Sequence, residues 1–274
     1  MAEAWIIDAV RTPRGRGKKD AGGLSHVHPQ ELLAQTLQAL AARNPFDPKD
    51  VEDVVVGCVT EAGEQGGCIA RMAVLASGWP IEVTGVSLNR FCGSGQQAVN
   101  FALMGVMAGQ QDLVVGSGVE SMSRQPMGSD GAGIDGHNRH LREMYPLVPQ
   151  GISADLIATL AGFTREDCDR FAYQSQMRVK AAMEEGRFTK SLVPVRGPDV
   201  LDRDEYPRPQ TTLEGLGKLE PSFVQLGQYV QKGDDLSFDQ KAQGVYPQVR
   251  KVEHVHTAGN PSGNVDGAAA VLMA

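Results

Sequence analysis

The chain has 274 residues, which is enough for one large domain or two ordinary ones, and it carries a net charge of −7. It has no run of basic residues and only 5% aromatic residues, which argues against nucleic acid as a partner. The start lacks a basic segment followed by a long apolar one, so no signal peptide is predicted, and the longest uncharged run, 91–111, is too polar to span a membrane.

Short apolar runs alternate with helical patterns in the first part of the chain. A helix that begins at Pro29 presents Leu33 and Leu37 on one face, and a second helix is predicted over 69–77. A third helix follows Cys92 and, because it carries no charge, is expected to be buried on most sides. This alternation predicts a mostly parallel sheet with helices on both faces. The predicted strands are 4–10, 53–59, 83–88 and 113–117.

The alternating pattern ends near residue 120. A short helix is predicted over 153–160, with Ser153 as its cap. A longer helix is predicted over 165–185, because Thr164 and Asp167 before and within its first turn resemble a capping box.

The last third of the chain is less regular. Residues 193–247 are rich in proline, glycine and charge, and such a long loop region in a compact enzyme is usually functional or forms a subdomain. The sequence then returns to a strand that leads to His256, and another apolar strand is predicted over 268–273.

Cys92 is the strongest candidate for a catalytic residue. It follows a strand pattern and precedes an uncharged helical run, so it lies at or just before the first turn of a helix. The first N–H groups of a helix lack internal partners and, with the helix dipole, favour negative charge. A thiol at such a place tends to lose its proton below the free value of about 8.5, and a thiolate is a strong nucleophile. Gly93 and Gly95 leave the approach to the sulfur open.

Two other interpretations of this turn compete with a nucleophile. A free cysteine is among the most buried residue types and usually only packs. The stretch Gly93–Ala98 also fits G-x-G-x-x-A, a dinucleotide-binding fingerprint. That fingerprint belongs to the first strand–turn–helix unit of a fold, whereas two strand patterns precede this one. It also requires an acidic residue at the end of the next strand, and Asp112 lies before that strand.

The other cysteines are Cys58, Cys68 and Cys168. None of the four forms C-x-x-C and their spacing fits no zinc pattern, so no metal site is expected. Cys168 lies on the apolar face of the helix predicted over 165–185 and is expected in the core. Scattered cysteines in an acidic globular chain are typical of reduced thiols, so we expect an intracellular, cytoplasmic protein.

Five segments spread over the whole chain carry specific motifs. They are Arg11–Pro13 (R-T-P), Asn89–Gly95 (N-x-x-C-x-S-G), Gly118–Ser123 (G-x-E-S-M-S), Asp204–Phe223, and Thr257–Ala269 (T-A-G-N-x-S-G-x-x-D-G-A-A). Together and in this order they resemble the thiolase family of acyl-CoA acyltransferases. The resemblance implies an α/β fold with a five-stranded mixed sheet covered by helices, made from about 1–119 and 249–274, with an inserted loop domain, 120–248.

The resemblance also implies a chemistry and a site. Cys92 would become acylated, its own backbone N–H would belong to an oxyanion hole, and CoA or a second acyl-CoA would resolve the acyl-enzyme in a ping-pong reaction that cleaves or forms 3-oxoacyl-CoA. No bound cofactor is expected, since CoA is a co-substrate. Partners would be acyl-CoA, CoA and further copies of the chain, as a dimer or tetramer. The residues implied to contact CoA are Arg208, Phe223, Ala258 and Ser262.

The chain departs from the family pattern at three places. Gln150–Asp155 stands where family members often carry M-G-x-T-A-E, and 224–248 is extra sequence. The motifs N-E-A-F, G-H-P and C-x-G-G of the family's second half do not occur in these 274 residues, so we expect that half to be absent and turnover by this chain alone to be very slow. His254 and His256 alternate on the predicted strand, and we expect both to be structural or surface residues.

Two other classes of function stay open from the sequence. One is a non-catalytic acyl-CoA or lipid-carrier protein on the same fold. The other is a nucleotide-binding protein that uses the glycine-rich turn at Gly93. Fast alkylation of Cys92 that a CoA thioester prevents would favour the enzyme.

Overall fold

The computed structural model describes residues 3–274, which form two compact units. The sheet unit contains the described residues up to Asp130, together with Gly186–Tyr206 and Gly263–Ala274. The helical unit contains Gly131–Glu185 and Pro207–Ser262. The domain boundaries expected from the sequence, at 119/120 and 248/249, stay a prediction.

The sheet unit is built on a mixed sheet of six strands. The strands are β1 (Ile6–Arg11), β2 (Gly15–Arg16), β3 (Asp53–Gly57), β4 (Thr84–Leu88), β5 (Val114–Ser121) and β6 (Val265–Met273). Five of them follow the order β1-β6-β5-β3-β4, and the two-residue β2 pairs with β6. β3 runs parallel to β4 and β5, whereas β6 is antiparallel to β1, β2 and β5. The predicted five-stranded mixed sheet is confirmed, with β2 as a short sixth strand. The expectation of a mostly parallel sheet was wrong for the described residues, because only two of the five strand pairs are parallel.

Helices pack on both faces of this sheet. They are α1 (Pro29–Arg43), α2 (Ile69–Ala76) and α3 (Ser94–Met107). Because side chains alternate along a strand, Val54 and Val56 of β3 join a core with α1 and α2, while Val55 joins a second core with α3. The prediction of all three helices, and of helices on both faces of the sheet, is therefore confirmed.

The expectation that α3 is buried on most sides was wrong for the described residues. Only Ser94 in the first turn and a narrow stripe of α3, Ala98, Ala102 and Val106, are buried. Away from this stripe Phe101 is 46% exposed and Met104 is 59% exposed. The lack of charge on α3 thus reflects an open apolar surface rather than a surrounding core.

The helical unit contains six further helices: α4 (Arg139–Met144), α5 (Gln150–Ala161), α6 (Arg165–Glu184), α7 (Leu213–Gly217), α8 (Val224–Gln228) and α9 (Phe238–Val245). The capping box of Thr164 and Asp167 starts α6 as predicted. Ser153, expected to cap a helix, lies inside α5, where its hydroxyl donates to the Pro149 carbonyl at 3.4 Å. No helix within residues 3–274 is both long and apolar enough to cross a membrane.

The strand predicted to lead to His256 is absent, and residues 250–256 are irregular. The N–H groups of Val255 and His256 donate to the carboxylate of Asp155, at 3.0 and 3.1 Å, instead of to a neighbouring strand. The backbone N–H groups of this segment are thus satisfied by a side chain from a distant part of the chain rather than by a neighbouring strand.

Glycines on the sheet allow α3 to approach it closely. A Cβ atom at Gly57 on β3 would lie 2.3 Å from the Ser94 carbonyl carbon, and one at Gly116 on β5 would lie 2.7 Å from the Cα of Val99. Both contacts are with backbone, which cannot move aside as the end of a long side chain can. The position of α3, and of the turn before it, therefore depends on the absence of side chains at these strand residues.

We expect Gly57→Ala to lower the free energy of unfolding by about 1–3 kcal/mol, because its methyl group would overlap the first turn of α3. Gly244→Ala in α9 is the matched control: a Cβ there meets no atom within 4 Å, so stability should stay equal or rise by up to about 1 kcal/mol. Urea denaturation measures both changes. A Gly57→Ala protein as stable as the parent would contradict this account of the packing of α3.

Candidate functional site

Cys92 lies in the turn between β4 and α3, one residue before the N-cap residue Gly93. Its side chain is exposed. Phe91, the residue before it, has a φ of 47°, in the left-handed region that residues other than glycine seldom adopt. Strain of this kind costs of order 1–3 kcal/mol and persists only where neighbouring interactions enforce it. The position predicted for Cys92 from the sequence is confirmed.

Two polar side chains of the Asn89–Gly95 motif hold this turn. The Ser94 hydroxyl accepts a hydrogen bond from the Arg90 N–H at 2.8 Å and donates to the Phe91 carbonyl at 2.6 Å. The Asn89 amide donates to the Val59 carbonyl and its oxygen accepts from the Phe91 N–H, both at 2.8 Å. The motif residues around Cys92 thus explain how the strained conformation at Phe91 is maintained.

Cys92 lines a cavity of about 450 Å³ in the sheet unit. Gly57, which admits α3, also forms part of the cavity wall, together with Gly95 of α3 and Gly118 of β5. Charged residues from three motifs border the same space, Arg11, Glu120 and Asp266, and so does Arg14, which follows the R-T-P motif. The exposed thiol therefore faces a volume large enough for a small acyl group.

Glu120 of the G-x-E-S-M-S motif organises the backbone after β3. Its carboxylate accepts hydrogen bonds from the N–H groups of Val59 and Thr60, at 2.8 and 3.2 Å, and from the amide of the fully buried Gln65 at 2.8 Å. Burial, and then the charge of Glu120, raise the pKa of the Cys58 thiol. Cys58 is therefore held as a neutral thiol behind this wall of the cavity.

The R-T-P motif is tied to residues far along the chain. Arg11 donates two hydrogen bonds to the Asp204 carboxylate, at 2.7 and 2.9 Å, and Arg14 donates to it from its backbone N–H at 2.9 Å. Burial alone would raise the pKa of Asp204, but the hydrogen bonds from Arg11 and Arg14 outweigh it and lower that pKa to about 2. Both guanidinium groups are thus engaged by Asp204 at the edge of the cavity.

The four residues expected to contact CoA all belong to the helical unit. Arg208 is exposed, and its guanidinium donates to the Ala258 carbonyl at 3.4 Å. Ala258 and Ser262 are exposed, whereas Phe223 is partly buried beside Gly151, where a Cβ atom would lie 2.6 Å from its ring. The structure therefore brings Arg208 and Ala258 together within this unit, while Cys92 belongs to the sheet unit.

Sequence analysis missed the residue that holds the loop around Ala258. The Asn260 side chain accepts from the Thr257 N–H at 2.9 Å and donates to Asp169 of α6 at 2.8 Å and to the Val255 carbonyl at 3.1 Å. Its place inside the T-A-G-N motif was the available signal. Within the described part of the chain, no group of three or more histidine, cysteine or acidic side chains could hold a metal ion.

A family model described as "Thiolase, N-terminal domain" matches residues 4–234. The chain belongs to the thiolase family. Among curated thiolases it is 40% identical over 296 residues to a beta-ketoadipyl-CoA thiolase of Acinetobacter baylyi, a match that covers 100% of the chain and 66% of that protein. It is also 37% identical over 233 residues to a 3-ketoacyl-CoA thiolase of Vibrio vulnificus, which covers 81% of the chain and 58% of that protein.

A third relative, the 3-ketoacyl-CoA thiolase of Shewanella frigidimarina, is 40% identical over 234 residues, which cover 81% of the chain and 58% of that protein. The chain thus spans 66% or less of the length of these relatives. The resemblance to thiolases predicted from the five motifs is confirmed.

Cys68 and Cys168 also bear on which thiol of this chain reacts first. Cys92 is not alone at a helix N-terminus, because Cys68 is the N-cap residue of α2 and is also exposed. The Cys68 thiol donates to the Gly85 carbonyl at 3.5 Å. Cys168, expected in the core, is only partly buried, and burial followed by the charge of Asp169 raises its pKa.

We expect iodoacetamide to modify Cys92 before Cys58 and Cys168, because their thiols are less accessible and have raised pKa values. Cys92 should also react before Cys68, whose thiol must first leave the Gly85 carbonyl. Mass spectrometry after limited alkylation gives the order, and a Cys68→Ser variant tests Cys92 without the second exposed thiol. Modification of Cys58 or Cys168 first would show that Cys92 is not the reactive cysteine.

Proposed function

We propose that the protein is a thiolase-type acyl-CoA acyltransferase that carries its acyl group on Cys92. The observation that carries this proposal is the exposed Cys92 thiol at the start of α3, on the wall of a cavity of about 450 Å³. Membership of the thiolase family supports it, as do the printed names of the relatives, which describe thiolases of 3-ketoacyl-CoA and beta-ketoadipyl-CoA.

The chemistry has two half-reactions. In the first, the Cys92 sulfur attacks a carbonyl carbon and gives up its proton. In synthesis this is the thioester carbonyl of an acyl-CoA, the carbon–sulfur bond to CoA breaks, and the CoA sulfur takes up the proton. In cleavage it is the 3-oxo carbonyl of a 3-oxoacyl-CoA, the bond between carbons 2 and 3 breaks, and carbon 2 of the departing acyl-CoA takes up the proton. In the second, the sulfur of CoA (cleavage) or the deprotonated α-carbon of a second acyl-CoA (synthesis) attacks the Cys92 thioester, the bond to Cys92 breaks, and the proton lost by that nucleophile returns to the Cys92 sulfur. The backbone N–H of Cys92 would stabilise the negative oxygen of each tetrahedral intermediate.

The CoA moiety would bind to the helical unit. The Arg208 guanidinium is suited to a nucleotide phosphate, since a planar fork of donors matches phosphate oxygens. Its contact with the Ala258 carbonyl places it beside the T-A-G-N motif, from which Ser262 would donate to the pantetheine arm. Phe223, partly buried and held beside Gly151, would present its ring to the adenine side.

The protein would work as a homo-oligomer, a dimer or a tetramer. Two apolar surfaces of the sheet unit support this: α3 exposes Phe101 and Met104, and the edge strand β4 exposes 45% of Val86. An edge strand with an apolar side chain is a ready pairing surface for a second copy. The acyl transfer would belong to lipid metabolism, as for enzymes that act on 3-ketoacyl-CoA.

We expect a short acyl-CoA to add one acyl group to the protein, located on Cys92, because this exposed thiol lines the cavity. Intact-mass analysis followed by peptide mapping measures the adduct. Cys92→Ser should lose it, and Cys68→Ser, which removes the other exposed thiol, should keep it. Binding of the acyl-CoA without any adduct would instead favour a non-catalytic acyl-CoA carrier, and binding of nucleotides alone would favour a nucleotide-binding protein.

We expect Arg208→Ala to weaken CoA binding by about 1.5–3 kcal/mol, the usual strength of a charge-assisted hydrogen bond. Isothermal titration calorimetry with CoA measures the change. Arg139→Ala is the control. Arg139 is an exposed arginine of the same unit, and its guanidinium bonds to Glu143 of its own helix at 3.0 Å. Equal CoA affinity of Arg208→Ala and the parent would remove Arg208 from the site.

A further inference from the structure

The helical unit contains a fully buried carboxylate that binds two histidines. Asp155 of α5 accepts from His254 Nδ1 with one oxygen, at 2.7 Å. Its other oxygen accepts from His256 Nδ1 at 2.7 Å and from the N–H groups of Val255 and His256. Asp155 thus accepts from four donors, three on one oxygen and one on the other.

His254 reaches a second carboxylate with its other ring nitrogen. Its Nε2 lies 3.0 Å from Asp239 Oδ2 of α9, and only 10% of its side chain is exposed. A neutral imidazole has one N–H and one lone pair. Because Nδ1 donates to Asp155, a neutral ring would turn its lone pair toward the oxygen of Asp239. With both carboxylates ionised, the two contacts are hydrogen bonds only when the ring carries both protons, so the geometry points to an imidazolium.

We propose that His254 is a positioning residue for CoA binding: as an imidazolium that joins Asp155 to Asp239, it fixes the segment 255–262. The role in CoA binding rests on the proposed function, whereas the fixing of the segment does not.

The hydrogen bonds of the segment show how this bridge would reach the CoA side. Val255 and His256 donate their N–H groups to the same Asp155, so the bridge and the backbone share one anchor. The His256 carbonyl accepts from the Ser222 N–H at 2.8 Å, directly before Phe223. Asn260 holds the Val255 carbonyl from the other end of the loop, across Ala258. Loss of the hydrogen bonds of His254 would therefore free the backbone on both sides of this loop.

The bridge should depend on pH. Burial would lower the pKa of His254, but the hydrogen bonds to Asp155 and Asp239 outweigh it and raise that pKa above the usual value. A raised histidine pKa means that the stabilisation is complete below the ordinary value of about 6.5 and is lost as pH rises through the higher value of the folded protein.

The other charged groups nearby have partners of their own: Glu253 with Lys251, Asp169 with Arg165, Lys241 with Asp234, and His256 with Asp155. Cys168, on which the charge of Asp155 also acts, has a pKa raised first by burial and then by the charge of Asp169.

Amide hydrogen exchange of the peptide that covers 255–262 tests the inference without any ligand. At pH 6 we expect His254→Gln to speed exchange there by at least about tenfold, because a neutral side chain loses the charge-assisted bonds to two carboxylates. The ratio of variant to parent should shrink toward one at pH 9. His140→Gln, the same change at an exposed histidine of α4, should leave the ratio at one. Equal exchange in His254→Gln and the parent at pH 6 would overturn the inference.

A second variant covers the case in which His254→Gln does not fold. Asp239→Asn keeps the ring and its bond to Asp155 but removes one carboxylate. Nitrogen chemical shifts of labelled histidine then report the ring's charge: we expect His254 to titrate at higher pH in the parent than in Asp239→Asn. A neutral His254 ring in the parent at pH 6 would overturn the inference.

CoA titrations of the same proteins separate the inference from the proposed function. We expect the parent to bind CoA several-fold more weakly at pH 9 than at pH 6, and His254→Gln to bind weakly at both. If the parent binds no CoA at either pH, the proposed function fails, and hydrogen exchange still decides whether His254 fixes the segment. If CoA affinity is the same in parent and His254→Gln at pH 6, His254 is not a positioning residue.

Discussion

The close approach of α3 to the sheet is the constraint on which the sheet unit depends. Gly57 and Gly116 admit the helix because any side chain would overlap its backbone, and Gly118 lies against Gly95 in the same seam. The parallel strands β3, β4 and β5 therefore end next to the start of α3, in the region where open α/β sheets present their ligand sites. Cys92 is exposed and lines a cavity because the glycines along this contact place no side chains beside it.

Buried carboxylates organise the loops of both units. In the sheet unit the Asp204 carboxylate accepts hydrogen bonds from Arg11 and Arg14. It therefore joins the R-T-P motif to the start of the Asp204–Phe223 segment. In the helical unit Asp155 receives two histidines and two backbone N–H groups of the segment before the T-A-G-N motif. Each carboxylate is fully buried or nearly so, and each compensates its desolvation with several donors, which is the usual condition for burying a charge. The motif loops of this thiolase are thus fixed by charge as much as by packing.

Much of the fold followed from local patterns. The period-2 and period-3.6 runs predicted the main strands and α1 to α3, and Thr164 with Asp167 marked the start of α6, since these signals act between neighbours in sequence. Cys92 was found in the same way, from a strand, a turn and a helix. The irregular segment at His254 could not be predicted, because its partner Asp155 lies 99 residues away. The extent of burial of α3 could not be predicted for a related reason: absence of charge in a sequence does not tell a buried surface from an open apolar one.

The central claim is that the thiol of Cys92 takes an acyl group from CoA. A crystal structure of the protein after exposure to a short acyl-CoA tests it most directly. The account predicts continuous density from the Cys92 sulfur to an acyl group inside the cavity bordered by Gly57 and Gly118. Density for the acyl group on another side chain, or an intact acyl-CoA bound away from an unmodified Cys92, would contradict the claim.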